Sequence, residues 1–430
     1  MLAILGFLMI ATCFVLVLSK KVHMIVPFII VPIVFAVLAG FPLKDISKFV
    51  VSGVASLMPT IMLILFSVAY FSILSETGMF DTVVFHITKL TKNNVFVVLF
   101  CTVLIAIIGH LDGAYNTTYL ITIPTLLPLY KKMNIDSRIL MYLAVMGATV
   151  MCVTPWSALV VQLTPFAEVS ADVLSAKMLP YAGVALVCAL VSALMFGISI
   201  SMKQKKGLEP APAADIAAPD FSDSPYARPQ YFWINFIIFT ASIVCLFALK
   251  ALATYILFMI FTCITLVVNY RDVKDQNTLI RKFSATMLAP ALLFMGISVM
   301  VGVMKSSGMV NAVIDVILKA IPATLARYTH VIFGLLLVPI YLVLPYQVMM
   351  PIYPILTGIG KSMGFSPAAV MMVFILQYGT ACSPLVAATN LGAELAGINV
   401  IEHMKFSYWR CWICSFVIIG AMIVTGVLFM

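Results

Sequence analysis

The amino-acid sequence predicts an all-α polytopic membrane protein, built as an inverted repeat of about five transmembrane helices plus one re-entrant hairpin per half. Three observations predict this class. The 430 residues are 63% hydrophobic and only 10% charged, with a mean hydropathy of +1.15, whereas a soluble domain needs far more polar surface. Apolar runs of membrane-spanning length recur along the chain, and short sequence elements repeat at a fixed spacing.

Ten apolar runs are long enough to cross a hydrocarbon core about 30 Å thick. They lie at about 2–18, 24–41, 54–74, 138–164, 178–201, 231–249, 251–269, 286–304, 366–398 and 411–430. Amphipathic pieces near 76–90 and 308–326 precede two further segments that resemble hairpins. The segment 203–230 is rich in Pro, Ala and Asp, which is typical of a flexible linker. We therefore expect two halves, 1–202 and 231–430, joined by a cytoplasmic linker.

The two hairpin-like segments span 95–130 and 328–362. In the first, two short apolar legs flank a polar tip from His110 to Thr118. Each leg is too short for a comfortable crossing, so the sequence predicts a re-entrant hairpin that places polar groups at membrane depth. Irregular backbone survives at that depth only where protein buries it or a wet cavity solvates it.

The two halves carry matching elements. Gly78 corresponds to Gly308, and Lys131 corresponds to Lys361, at a spacing of 230 residues. The Thr-Pro pair at 154–155 corresponds to the Ser-Pro pair at 383–384, at a spacing of 229. Several matches at one spacing indicate an internal repeat, and inverted repeats with interrupted helices are typical of secondary transporters.

Charge orients this repeat. The chain has 25 Lys and Arg and a formal net charge of +9, but these residues lie in short loops between apolar runs, so no nucleic-acid partner is expected. Placing Lys20 and Lys21 in the cytoplasm puts most of the basic residues there, provided that 95–130 returns to its own side. The sequence thus predicts a multi-pass protein of the plasma (inner) membrane, in contact with the lipid bilayer, with both termini extracytoplasmic.

The polar interruptions of the apolar runs are the candidate binding residues. Free amides at helix N-termini attract anions, and Asn, Thr and freed carbonyl oxygens suit a small hard cation such as Na⁺. The substrate-binding candidates are Asp112, Gly113, Asn116, Thr117 and Thr118 on the first tip, Thr154, Pro155 and Trp156 at the first break, Tyr346 and Gln347 on the second tip, and Ser383, Pro384, Thr389 and Asn390 at the second break. The ion-coupling candidates are Asp112, Asn116, Thr154, Thr380 and Asn390.

The sequence contains few motifs that are typical of other classes of function. No phosphate loop, zinc-protease motif or catalytic triad is present in the sequence, so we expect a protein that is not an enzyme; an integral-membrane enzyme would have to use His110 and Asp112. The nine cysteines fall mostly singly in apolar runs, and no resident metal site or cofactor is expected. A channel or exporter for a small anion or weak acid is the alternative to a symporter, because no Lys or Arg lies deep in any apolar run.

Nearly the whole chain resembles the citrate–metal:proton symporters, the CitMHS family of the ion transporter superfamily. The similarity is carried by VPIVFAVLAG, ETGMFD, DGAYNTTYLITIPTLLPLYKK, TPW, SPLVAAT and LAGINVIEHMKF. It is strongest at the first tip, which matches the family pattern D-G-x-G-S-T-T-Y-M-I-T. The resemblance implies two re-entrant hairpins and cation-coupled uptake of a carboxylate such as citrate. Superfamily relatives imply a homodimer.

The departures from the family pattern lie around the proposed site. Ala114 and Tyr115 stand where the pattern has an acid and a glycine, and Gln162 stands at an arginine position. The second tip lacks the usual Asn-Asp pair. These changes leave two substrates open: a complex of citrate with Mg²⁺ or another divalent metal, or a smaller free organic anion. Asn116-Thr117 also resembles the sodium signature of dicarboxylate carriers, so Na⁺ and H⁺ both stay open as the coupling cation.

Overall fold

The protein is α-helical throughout the part of the chain that its computed structural model describes. Described are residues 1–19, 21–23, 25–88, 94–204, 224–249, 251–320, 322–344, 346–376 and 378–430, and no strand occurs among them. Within these ranges, seven helices are long and apolar enough to cross a membrane: Leu2–Ser19, Leu43–Glu76, Ala171–Met202, Pro229–Leu246, Val273–Ser306, Thr324–Leu342 and Val400–Val424. The predicted polytopic all-α class is confirmed.

Among the described residues, nine helices form the first half of the chain. They are α1 (Leu2–Ser19), α2 (Ile25–Leu38), α3 (Leu43–Glu76), α4 (Met79–Thr88), α5 (Val95–Gly109), α6 (Tyr115–Lys132), α7 (Ser137–Met151), α8 (Ala158–Ala167) and α9 (Ala171–Gln204). Asn94 caps α5 and Asp136 caps α7, each accepting backbone amide hydrogens of the first turn. Such caps satisfy amides that have no partner inside the helix, which is why both helices begin where they do.

Ten helices are described in the second half. It contains α10 (Phe232–Ala248), α11 (Thr254–Asn269), α12 (Val273–Ser306), α13 (Met309–Ala320), α14 (Ala323–Val343), α15 (Tyr353–Ser362), α16 (Pro367–Met372), α17 (Gly379–Cys382), α18 (Ala387–Ala396) and α19 (Val400–Val424). Helices α3 and α12 are both 34 residues long and start 230 residues apart. This pair of helices therefore repeats at the same spacing as the sequence elements.

Helices α3 and α12 form the central packing contact, and they run antiparallel. Gly53 of α3 lies against Gly302 of α12, while Glu76 at the end of α3 meets Lys282 near the start of α12. A Cβ on Gly53 would lie 2.1 Å from the carbonyl oxygen of Ser298, so only glycine permits this approach. Antiparallel packing of corresponding helices is what inverted halves require, and the inversion itself stays a prediction.

Several predicted boundaries were wrong. The predicted span 54–74 belongs to a helix that begins at Leu43, and α2 and α11 are shorter than a full crossing at 14 and 16 residues. The apolar runs 138–164 and 366–398 are each divided into separate helices, around the breaks that Pro155 and Pro384 predict. Hydropathy records apolar length only, so it does not fix where a helix begins.

The first hairpin has the predicted helix–turn–helix form, with α5 and α6 joined by residues 110–114. With 15 residues, α5 extends about 22 Å, less than a hydrocarbon core. The second hairpin is built differently from the first. Its first helix, α14, has 21 residues, and a short 3₁₀ turn at Tyr346–Met349 connects it towards α15. The predicted linker 203–230 lies mostly outside the described residues.

One exposed ion-pair cluster ties the two halves together. Glu168 follows α8 in a left-handed conformation (φ 55°) and accepts from Lys305 at 3.2 Å and from Lys361 at 2.6 Å. Burial alone would raise the pKa of Glu168, but the hydrogen bond from Lys361 and the charge of Lys305 bring that pKa below its ordinary value of 4.5. The carboxylate thus stabilises the fold only while it is ionised.

Substituting Glu168→Gln is expected to lower the unfolding temperature at pH 7 and to have little effect near pH 3. A lowered folded-state pKa gives stability that is present above 4.5 and is lost as the pH falls through the folded value. The side chain is about two-fifths exposed, so screening reduces the effect to about 0.5 kcal/mol. Thermal unfolding at both pH values measures this. Asp45→Asn, which removes an exposed pair within one helix turn, is the control, and an equal loss at both pH values would contradict the assignment.

Candidate functional site

A cavity of about 1010 Å³ lies between the first tip, the end of α3 and the start of α18. Asp112, Asn116 and Thr117 line it from the tip, and Ala387 and Leu391 line it from α18. The structure thus brings three of the predicted binding residues into the same cavity. This cavity is large enough for a small organic anion, since ligand pockets generally enclose about 300–1,000 Å³.

The tip holds Asp112 in a tight turn. Its carboxylate accepts from the backbone amide of Ala114 at 2.9 Å and from the side chain of Thr117. Gly113, between them, has φ +77°, a conformation that side chains rarely adopt. The α6 helix begins at Tyr115 with no side-chain cap from Ala114. Its first amides therefore stay without a capping side chain beside the carboxylate of Asp112.

The first break packs directly onto this tip. The indole Nε1–H of Trp156 donates to the carbonyl of Leu111 at 2.5 Å. A Cβ on Gly113 would lie 2.8 Å from Cα of Ser157, so the two irregular segments touch through their backbones. Residues 152–157 are non-helical, as predicted, because Pro155 offers no amide donor to continue α7. Contact between tip and break fixes the position of Asp112.

Three predicted residues at the first break and tip are buried. Thr154 is 6% exposed and donates to the carbonyl of Met151 at 3.0 Å, Pro155 is buried, and Thr118 is fully buried. The hydroxyl of Thr118 lies 2.7 Å from Nδ1 of His110 and 3.0 Å from the carbonyl of Ala114. None of these three is among the residues that line the cavity.

The second break departs from its predicted form. Gly379–Cys382 is one helical turn, and the irregular backbone lies after it, at 383–386. Ser383 is buried and Pro384 is half-buried. The amide of Asn390 donates to the carbonyls of Pro384 and Val386 at 2.8 and 2.9 Å. The exposed side chain of Asn390 therefore connects the first turn of α18 to the irregular backbone at 383–386.

Thr380 and Thr389 meet behind this break. The hydroxyl of Thr389 donates to the carbonyl of Thr380 at 3.2 Å, and the hydroxyl of Thr380 is buried with no protein partner. Helix α18 then packs closely on α6, where Gly392 contacts the ring of Tyr119. The second break is thereby joined to the helix that carries the first tip.

The second tip lies apart from the cavity. Tyr346 is half-buried in the 3₁₀ turn and is not among the described residues that line the cavity. The side chain of Gln347 and all of Pro345 lie outside the described residues. The ring of Tyr353 lies 5.4 Å from that of Phe166 in α8. The four polar interruptions thus meet in separate pairwise contacts rather than around one cavity.

Sequence reasoning missed two acidic residues at the cavity. Glu76 at the end of α3 and Asp81 in α4 line it together with Asp112. Glu76 is held by Lys282 at 2.7 Å and by the hydroxyl of Ser224. Both acids lie in ETGMFD, which was used only as a repeat marker and a family motif. The signal that could have identified them is that both acids lie close to Gly78, which corresponds to Gly308 in the second half.

Residues 224–228, at the end of the predicted linker, lie at the rim of the cavity. Ser224 and Ala227 line the cavity, and the backbone amide of Arg228 donates to the carbonyl of Thr77 at 2.9 Å. Within the described ranges, no group of three His, Cys, Asp or Glu side chains is placed to hold a metal ion.

The chain was compared with known proteins. A family model described as "CitMHS: Citrate transporter" matches residues 14–379. A "Mg(2+)/citrate complex secondary transporter" of Bacillus subtilis (strain 168) is 28% identical over 95% of this chain and 94% of its own length. A "Citrate transporter" of the same organism is 27% identical, with 95% of each chain covered. A further relative there, the "Uncharacterized transporter YraO", is 27% identical over 99% of both chains.

Proposed function

We propose that this protein, which belongs to the citrate transporter family CitMHS, is a secondary transporter that carries citrate with a divalent metal ion into the cell, together with a coupling cation. The family and the curated relatives are transporters, not enzymes. The proposal rests on the acidic cavity at the first tip. Its carboxylates can bind a metal ion, and one relative is named as a transporter of a Mg²⁺–citrate complex.

The charge of the cavity favours a metal complex as the substrate. Asp112, Glu76 and Asp81 line it, and since Lys282 pairs with Glu76, Asp112 and Asp81 are the lining carboxylates without an ion-pair partner among the described residues. Free citrate would bring three negative charges against these carboxylates, a repulsion that low dielectric strengthens. A citrate complex with Mg²⁺ carries one net negative charge and presents its metal ion to carboxylate oxygens, which are the ligands Mg²⁺ prefers.

Asp112 is our candidate for coupling transport to a cation. Its carboxylate lies at the tip of the hairpin beside Asn116 and Thr117, both of which line the same cavity. A carboxylate there can carry a proton, and the same oxygens with the Asn and Thr side chains can bind Na⁺. We retain both H⁺ and Na⁺ as alternatives, which the following experiment separates.

The cavity belongs to the side where Lys282 and Arg228 lie, which the distribution of basic residues assigns to the cytoplasm. We therefore propose an inward-facing state in the plasma membrane with both termini outside, and a homodimer as the assembly. The two halves, 1–202 and 231–430, would alternate access by moving the hairpin-bearing helices against α3 and α12.

Uptake of labelled citrate into proteoliposomes tests the proposal. We expect concentrative uptake that requires Mg²⁺ or another divalent metal and that is driven by only one of two imposed gradients, H⁺ or Na⁺. Asp112→Asn is expected to reduce this uptake by about 100-fold, because it removes the negative charge that would hold the coupling cation. Asp315→Asn, at an exposed position of α13, is the matched control and should retain uptake.

Three outcomes would contradict the proposal. Uptake that only equilibrates citrate would indicate a channel. Equal uptake of free succinate or malate without metal would exclude the metal complex as the required substrate. Normal coupling in Asp112→Asn, Asn116→Ala and Asn390→Ala, each correctly folded, would exclude the assigned residues.

A further inference from the structure

A second cavity lies on the outer face of the molecule, far along the chain from the acidic cavity. It has a volume of about 550 Å³ and is formed between α9 and α19. The two helices run antiparallel, since Phe196 stacks on Phe406 at one end and Tyr181 hydrogen-bonds to Thr425 at the other. We call this cavity the α9–α19 groove.

The walls of the groove are apolar and open outward. Val187, Val191 and Met195 of α9 are 47–65% exposed, and Ile413 and Val417 of α19 are 61% and 49% exposed. In a membrane, such surface faces hydrocarbon chains. From Arg410 to Val417 the groove follows α19 for about 10 Å of helix rise, which suits a length of acyl chain.

One end of the groove carries a fixed positive charge. The guanidinium of Arg410 lies 4.2 Å from the ring centre of Phe406 and 5.5 Å from that of Phe196, and it donates to the carbonyl of Phe406. Within the described ranges Arg410 has no carboxylate partner. Arg138, 5.3 Å from the centre of the same ring, is paired with Asp136. Arg410 is therefore the uncompensated cation at this end.

Aromatic residues place Arg410 at the level of lipid headgroups. Tyr408, Trp409 and Trp412 form a cluster on the same turns of α19, with ring centres 4.9–5.6 Å apart, and Trp409 is 62% exposed. Trp and Tyr concentrate where a membrane meets water. The groove thus starts at the interface with a cation and continues into the hydrocarbon with apolar walls.

We propose that the α9–α19 groove binds one anionic phospholipid, with the phosphate on Arg410 and an acyl chain along Val191 and Val417. Basic pockets between membrane helices bind anionic headgroups, and the planar guanidinium pairs with phosphate through two parallel hydrogen bonds. Because its contacts with Phe406 and Phe196 hold Arg410 in place, the guanidinium is already oriented before the lipid binds. The site is independent of the transported substrate.

Native mass spectrometry of the full-length protein tests the proposal. The purified protein would be titrated in detergent with phosphatidylglycerol and with phosphatidylcholine of identical acyl chains. We expect the wild type to retain phosphatidylglycerol about fivefold better, the preference that one cation near a membrane surface supplies. Arg410→Gln should abolish the preference, whereas Lys405→Gln, an exposed cation on the same helix, should keep it.

A second variant separates the groove from general surface charge. Val191→Phe fills the groove while leaving Arg410 in place, and we expect it to remove retained phosphatidylglycerol as well. Equal losses in Arg410→Gln and Lys405→Gln, or full retention in Val191→Phe, would overturn the proposal. A wild-type spectrum that shows a second copy of the chain bound in place of the lipid would also overturn it.

Discussion

Gly113→Ala is expected to reduce citrate uptake by about tenfold or more without preventing membrane insertion. Gly113 has φ +77°, and an added Cβ would lie 2.8 Å from Cα of Ser157 and 3.1 Å from the carbonyl of Trp156. A strained conformation costs about 1–3 kcal/mol, and the clash is with backbone that cannot rotate away. The tip must therefore separate from the first break, and Asp112 moves with it.

Gly364→Ala is the matched control for that experiment. Gly364 also has a positive φ, +85°, but nothing lies within 4 Å of its added Cβ. The control carries the backbone strain without the clash. Initial rates of uptake, normalised to the amount of protein in the vesicles, measure both variants. Similar rates in the two variants would mean that contact between tip and break is not needed for transport.

Gly302→Leu is expected to give the largest loss of stability. A Cβ at Gly302 would lie 2.3 Å from the carbonyl of Phe49 and 2.8 Å from Cα of Gly53, so α3 and α12 would have to move apart along their central contact. Overpacking costs about 3 kcal/mol at the upper end of its usual range. We expect the apparent unfolding temperature in detergent to fall by about 5 °C or more.

Gly183→Leu provides the comparison for this variant. Gly183 is also helical, in α9, but it is exposed and its added Cβ would meet nothing within 4 Å. It should unfold at or slightly above the wild-type temperature, since glycine is a poor helix former. If both variants unfolded at the same temperature, the close approach of α3 and α12 would not be a main source of stability.

The first tip and break were predictable from local sequence. Asp112, Gly113 and Asn116 form a polar interruption between apolar legs. Helix α7 ends before Pro155 because a proline has no backbone N–H to donate to the preceding turn. The second break was harder to locate, because Gly379–Cys382 closes one more helical turn before Ser383. A proline marks where a helix cannot continue, but packing decides how many residues before it stay helical.

The partners in the acidic cavity were not predictable from local patterns. Glu76 and Asp81 are separated from Asp112 by α5 and are brought to it by the tertiary fold. Hydropathy likewise gave no sign that Tyr346 would lie away from the cavity. Which polar residues face one another depends on the rotation and crossing of helices, and a pattern in one helix does not contain that information.

The sequence by itself determined the membrane class, the repeat, the polar tip and the family, because composition, spacing and motifs are properties of the chain. Only the tertiary structure decided that three carboxylates share a cavity, that Trp156 and Gly113 join tip to break, and that Arg410 stands at the end of an apolar groove. Each of these depends on contacts between residues distant in sequence, whose geometry is fixed by close packing of the helices.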